Sequence, residues 1–459
     1  MRPASLSWPT RVELREMLGI ATPVVLVQVG LQLMGLVDTL MVGRLSPDAL
    51  AGVALGNFYF YNVAIFGMGT LMALDPVVAQ AIGADDHDAA RRGIQRGVLL
   101  ALALSAVVGA AFIASGPAFL LLRQPHDVVP LARQYVQISA AGLPAFFTFV
   151  VLRQSLQAML SVRPVLVAVA AANLFNVVAN WVLIFGHAGA PRLGVAGSAW
   201  STAGARWVML GVLLWAGWGQ LRPHLTGRWR SALTWRPLWN TVKLGAPIGL
   251  QWFFEAGAFA MGTLMFGWLG TVPLAGHEVA LSLASLTFMV PVGFSTAAAA
   301  LVGQAIGRND MASARRHAAG AWVLGVGFMA VSGVAMLAFP TPIARWFTTD
   351  ASVVAVAASL IAIAGVFQVF DGTQAVASGL ARGTGDTTVP MLLHLFGFWA
   401  IGVPLAGLLG FTMKRGGEGI WWGLTSGLIV AALLQAWRVQ RRLRRDIARV
   451  IVEHHHAAH

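Results

Sequence analysis

Apolar runs of about 20 residues or more recur along the whole chain, separated by short joins rich in Arg, Asp, Gly and Pro, and this length suits helices that cross a bilayer. The pattern predicts about twelve spans, roughly at 17–42, 50–74, 94–118, 131–158, 164–186, 194–219, 240–268, 274–300, 316–339, 352–380, 388–411 and 418–438. No stretch alternates apolar and polar residues with the period of two that barrel strands require. The fold class expected is therefore an all-α polytopic membrane protein.

The apolar pattern also repeats. With an ungapped shift of 224 residues, TLMVGRL from Thr39 falls on TLMFGWL from Thr263, and VAQAIGADD from Val78 falls on VGQAIGRND from Val302. Pro23 falls on Pro247, and Arg91-Arg92 fall on Arg315-Arg316. About 21 of the 73 positions between Ile20 and Arg92 are identical under this shift, which marks a duplicated unit. The shift carries helix one onto helix seven, so two six-helix halves are expected, inserted with the same orientation. Such halves are related by a pseudo-two-fold axis along the membrane normal. The domains expected are an N-terminal bundle at 1–221, a cytoplasmic linker at 222–237, a C-terminal bundle at 238–440 and a basic cytoplasmic tail at 441–459.

Composition agrees with membrane insertion: 57% of residues are hydrophobic and 11% charged, against about 25% charged in soluble domains. The net charge of +13 follows topology. With the N-terminus inside, roughly 22 Lys and Arg fall on the cytoplasmic side and roughly 7 outside. That bias places both termini in the cytoplasm of a multi-pass protein of the inner membrane. The tail RVQRRLRRDIAR reads as an anchor for anionic membrane lipid rather than a nucleic-acid arm. No cleavable signal is expected, because the first apolar run begins near Met17 and lacks a cleavage site. Cys is absent, which excludes disulfides and thiol chemistry. The terminal HHHAAH is set aside from function.

Three carboxylates interrupt the apolar runs: Asp38, Glu255 and Asp371. The chain has only 18 acidic residues. A charge at the bilayer centre costs at least about 3 kcal/mol, so such residues usually line a cavity and carry cations or protons. The repeat does not duplicate them, since Asp38 falls on Gly262 and Glu255 on Leu31. Residues needed only for folding should recur in both halves, so the asymmetry points to function. The competing role is structural pairing with Arg153 or Arg206, the two arginines placed within spans.

These features resemble the multidrug and toxin extrusion (MATE) transporters, and most closely their NorM-like branch. The resemblance rests on VDTLMVGRLS at Val37, AQAIGADDHDAARR at Ala79, GLQWFFEAG at Gly249, AGHEVAL at Ala275, GQAIGRND at Gly303 and VFDGTQAVASGLARGTGDTTVP at Val369. It implies a cation-driven antiporter that expels organic cations and other amphipathic toxins. It also implies that Asp38, Glu255 and Asp371 match the family's acidic positions in helices one, seven and ten. The aromatic residue four before the helix-ten acid is often Tyr in the family; here it is Phe367.

Glu255 and Asp371 are expected to hold the coupling cation, as oxygen ligands for Na⁺ or as carriers of H⁺. Gln251, Phe259, Phe367 and Gln374 lie within a helical turn of them and, with Asp38, are expected to line the substrate cavity. Asn176 and Asn180 are four apart and share a face. They serve either a second cation site with Asp38, which the resemblance implies, or hydrogen bonding between helices. Glu278 is a cavity or interfacial acid, and His394 reads as a packing residue in preference to a proton relay. ARGTGDTTVP from Ala381 is a turn.

No Walker motif occurs, so ATP is not the expected energy source. No catalytic constellation occurs, so no enzyme and no cofactor are expected beyond the transported Na⁺ or H⁺. The function expected is secondary antiport of cationic amphipathic drugs by alternating access. The alternative is a flippase for lipid-linked saccharides, which would want a basic cavity.

Overall fold

The computed structural model describes residues 8–121, 127–227 and 229–452. Arg2, Arg123, Arg228 and the His-rich end lie outside these residues. Twelve long helical segments follow one another among the described residues. They are α1 (Arg11–Val42), α2 (Pro47–Gly83), α3 (His87–Ile113), α4 (Val129–Ala158), α5 (Arg163–Phe185) and α6 (Val195–Ala216). The second half supplies α7 (Trp235–Leu269), α8 (Thr271–Gly307), α9 (Met311–Ala338), α10 (Ala351–Gly383), α11 (Thr388–Thr412) and α12 (Gly416–Leu443). Ten of them are long and apolar enough to cross a membrane on length and composition. The other two, α6 and α7, are long enough but are interrupted by polar residues, among them Ser198, Ser201, Thr202 and Arg206 in α6 and Asn240, Lys243, Gln251 and Glu255 in α7.

Local chemistry sets the helix starts. Ser46 caps α2 by accepting from the Ala49 N–H at 3.1 Å, with Pro47 in the first turn, where its missing N–H costs nothing. Asp86 and Asp310, repeat partners, cap α3 and α9 by accepting from Ala89 and Ser313, each at 2.9 Å. The residues before them, Asp85 and Asn309, are repeat partners too and share the left-handed conformation, with φ of 57° and 59°. The duplication in the sequence is thus a duplication of turn geometry. α2 runs further than its apolar stretch, through a turn at Met72–Ala73 and on past Asp75-Pro76. Proline is tolerated there because it stands in the first turn of the resumed helix.

The residues form two compact units. The C-unit comprises Leu250–Val450, Gly83–Asp85 and the start of α1 up to Val25. The N-unit comprises Leu26–Ile82 and Asp86–Gly249, joined by Ile451 and Val452. The breaks in α1 and α7 fall two residues after Pro23 and Pro247, at positions related by the same 224-residue shift. Within the C-unit, Gly293 of α8 lies against Ala21 and Val25 of α1. Glu13 of α1 pairs with Arg316 of α9, and Glu16 faces His317 Nε2 at 3.2 Å. Within the N-unit, Gly245 and Gly249 of α7 lie against Phe66, Gly69 and Thr70 of α2. Small residues at repeat-equivalent positions let backbones approach, as is usual between membrane helices.

This contact gives a direct prediction. A Cβ at Gly245 would run into the Thr70 carbonyl, whereas one at Gly267, on the same helix, would meet nothing within 4 Å. Gly245→Val is expected to destabilise the fold by about 1–3 kcal/mol or more, and Gly267→Val to leave it unchanged. Thermal unfolding of the two purified variants checks this, and equal melting points would refute the packing argument.

The 384–387 join between α10 and α11 is a turn, with Gly385 at φ +72°. Its Asp386 accepts from Arg438 at 2.8 Å and lies 3.9 Å from Arg442. Those two arginines of the basic cluster are therefore engaged by protein, and Arg441, Arg444 and Arg445 remain exposed. Three π-helical stretches interrupt the second half, at Trp322–Val326, Phe396–Gly402 and Leu408–Thr412. The second of them begins two residues after His394.

Candidate functional site: two acidic centres

The N-unit centre is built on Asp38. Its Oδ1 accepts from Asn176 Nδ2 at 3.0 Å and Asn180 Nδ2 at 2.6 Å. Its Oδ2 accepts from Thr202 Oγ1 at 2.6 Å. One turn of α5 separates the two asparagines, which places both amides on one side of the carboxylate. Asp38, Asn176 and Asn180 are all buried. Among the described residues Asn180 Oδ1 has no hydrogen-bond partner, so it and the Asp38 carboxylate offer oxygens to a cation here. Arg206, one turn beyond Thr202, acts on Asp38 electrostatically but forms no ion pair with it. Its guanidinium instead lies 3.9 Å from the Phe60 ring centre and 5.2 Å from that of Phe146.

The C-unit centre is different in kind. Glu255 of α7 and Asp371 of α10 act on one another electrostatically, so a negative charge on one disfavours it on the other. Asp371 is buried and makes no hydrogen bond or ion pair among the described residues. The Glu255 side chain keeps 19% of its exposure, and its Oε2 lies 3.6 Å from His394 Nε2 of α11. Among the described residues of the C-unit, no arginine or lysine pairs with either acid. Arg153 is spent elsewhere: it donates to Gln28 Oε1 at 3.0 Å and lies in the field of Asp75, which accepts from Gln154 at 2.8 Å. Arg153 and Arg206 are thus each engaged within the N-unit.

Around this pair the predicted lining residues divide. Gln251 and Gln374 both point their amides at Ser378 Oγ, at 3.1 and 3.4 Å. Phe367 is buried edge-on against Phe259 and Trp421, so it is packing for the site. Phe259 is half-buried and also meets Phe398. Glu278 is exposed and joins neither centre.

Its neighbour His277 is a satisfied core residue. Its Nδ1 accepts from Trp421 Nε1 at 3.1 Å, its Nε2 bonds Thr263 at 3.0 Å, and Phe266 stacks on the ring at 4.3 Å. Because indole can only donate, the ring proton must be on Nε2. His277→Phe would leave the Trp421 N–H unpaired, costing about 1–3 kcal/mol of stability. No loss of activity is expected beyond that loss of folded protein, which activity normalised to folded protein would test.

Sequence reasoning did not single out Thr202, Ser378, Gln435 or Asp75, and it read His394 as packing. Asp75 was the accessible signal, a carboxylate at the edge of an apolar run that the helix continues through. The others are small or neutral polar groups of a kind common in membrane helices.

A family model described as MatE matches residues 23–182 and 247–408. The chain belongs to the MATE family. The two matches begin 224 residues apart, the shift of the internal repeat. The chain is 34% identical to the multidrug resistance protein PmpM of Pseudomonas aeruginosa, over 97% of this chain and 95% of that one. It is also 34% identical to the multidrug resistance protein NorM of Burkholderia vietnamiensis, over 91% and 92%. Its fold is similar to a eukaryotic MATE transporter, AtDTX14, with a TM-score of 0.84, 22% identity and coverage of 94% and 99%. A MATE structure in a bent conformation matches with a TM-score of 0.86, 19% identity and coverage of 95% and 98%. These matches make the chain a multi-pass membrane protein of a transporter family.

Proposed function

We propose that this MATE protein is a secondary active multidrug efflux antiporter of the cytoplasmic membrane, with both termini in the cytoplasm. It exchanges cationic, amphipathic compounds for Na⁺ or H⁺. The observation that carries the reading is the C-unit centre: Glu255 and Asp371 act on one another electrostatically, and among the described residues of the C-unit they have no Arg or Lys partner and Asp371 no hydrogen-bond donor. Two carboxylates so placed repel one another and are costly when ionised, so a mobile cation, a proton or a cationic drug relieves the same charge. Ligands that compete for one charge, each favouring a different conformation, are sufficient for exchange. The multidrug resistance relatives support the substrate class. Asp38 with Asn176 and Asn180 supplies a second cation site in this scheme.

Ethidium efflux from proteoliposomes, driven by an imposed Na⁺ gradient or by a pH gradient of equal size, is the test. Efflux under either gradient alone identifies the coupling ion. Efflux under neither, in vesicles with correctly folded protein, would overturn the antiport reading.

A further inference from the structure

His394 is fully buried on α11, and every group around its ring can be assigned from hydrogen-bonding rules. Gln435 Nε2 donates to the Pro390 carbonyl at 3.2 Å, and that carbonyl can only accept. This fixes which end of the Gln435 side chain is nitrogen. The Ser378 hydroxyl agrees, donating to Gln435 Oε1 at 3.0 Å. The same Gln435 nitrogen lies 3.4 Å from His394 Nδ1, and Gln374 Nε2 lies 3.2 Å from it. Two amide donors face Nδ1, so Nδ1 carries the lone pair and Nε2 carries the ring proton. Among the described residues Nε2 has no hydrogen-bond partner, and it faces Glu255 Oε2 across 3.6 Å. The ring is further held by Phe398, with centroids 4.7 Å apart.

We propose that His394 is a positioning residue for the coupling-cation centre: clamped through Nδ1 by Gln435 and Gln374, it directs its Nε2 proton at Glu255 Oε2 and competes with the coupling cation for that carboxylate. The proposal rests on the antiport reading and adds a determinant of ion affinity to it. A donor aimed at an anion stabilises the empty site, and a bound cation must displace that interaction. The gap of 3.6 Å is longer than a formed hydrogen bond. A small movement of the Glu255 side chain, which packing leaves partly free, closes it. The clamp spans α10, α11 and α12 through Gln374, Pro390, His394 and Gln435, so the donor is held by three helices, and the carboxylate on α7 is the partner able to move.

The test uses full-length protein in proteoliposomes with ethidium. The rate is measured against external Na⁺ at fixed pH, and against pH at fixed Na⁺. His394→Phe keeps a ring but removes the donor. It is expected to lower the half-saturating concentration of the driving cation about fivefold, with maximal rate within about twofold. His394→Gln returns an N–H to the Nε2 position and is expected to restore the wild-type value. An unchanged half-saturation in His394→Phe overturns the proposal, as does a loss of maximal rate alone that Gln does not rescue. Wild-type protein inert to both gradients would instead overturn the antiport reading. Nitrogen NMR of histidine-labelled protein, assigned with His394→Phe, decides the positioning independently of transport. The expected signal is a ring protonated on Nε2 that shifts in Glu255→Gln. A ring protonated on Nδ1, or one indifferent to Glu255, overturns the proposal.

Discussion

Replacing Asp371 by Asn is expected to leave a folded protein that has lost drug efflux. Asp371 is buried and accepts no hydrogen bond among the described residues, so the substitution removes no stabilising contact. When ionised, its charge opposes that of Glu255, and the substitution removes it. Relieving an unpaired charge of this kind is neutral or stabilising, and the melting point should hold or rise. Transport should fall at least about tenfold, because the ion and the drug can no longer compete for the same charge. Glu255→Gln is expected to behave alike. The double variant should be little worse than either single, since residues acting as one unit are not additive. Ethidium efflux normalised to folded protein, with thermal unfolding of the same samples, measures both effects. Wild-type efflux from Asp371→Asn would remove Asp371 from the coupling site. A large drop in melting point would show instead that the carboxylate holds the fold together.

The parts of this architecture that were legible in the sequence are those governed by water and lipid. Apolar runs gave twelve helices because a backbone in lipid must bond within its own segment. The exception is instructive: α2 continues beyond its apolar run because Asp75 is accommodated by Gln154 and Arg153, a tertiary arrangement no window of hydropathy can register. The repeat sets Asp85-Asp86 on Asn309-Asp310, and the two pairs adopt the same conformation and cap helices alike. Asp38, Glu255 and Asp371 stood out because charge inside an apolar run is conspicuous. Thr202, Ser378 and Gln435 did not, because their meaning lies in convergence from separate helices. The same holds for His394, which differs from His277 only in its surroundings. Both rings are buried, but one has a partner on each nitrogen and the other turns an unpartnered proton toward a carboxylate. The allocation of each helix start to a unit was equally hidden. It follows from Gly245 and Gly249 meeting α2, and Ala21 and Val25 meeting α8.

The N-unit centre calls for a different substitution argument, because Asp38 accepts three hydrogen bonds where Asp371 accepts none among the described residues. Asn at position 38 fits the same space. One of its groups remains a carbonyl that can accept from Asn176 and Asn180, as Asp38 Oδ1 does now. The other becomes an amide facing Thr202, whose hydroxyl can turn from donor to acceptor. The three hydrogen bonds therefore survive with one reversed, and stability should change by no more than about 1 kcal/mol. What disappears is the charge. If that charge binds a cation during the cycle, Asp38→Asn should lower efflux at least about tenfold while the protein melts as the wild type does. Asn180→Ala makes the complementary change: it keeps the charge but removes the 2.6 Å donor and the unpartnered Oδ1. It should weaken the apparent affinity for the driving cation more than the maximal rate. Full efflux from Asp38→Asn would reassign the cluster to helix packing, in which case Asp38→Ala, which breaks all three bonds, should lower the melting point in proportion to its loss of transport.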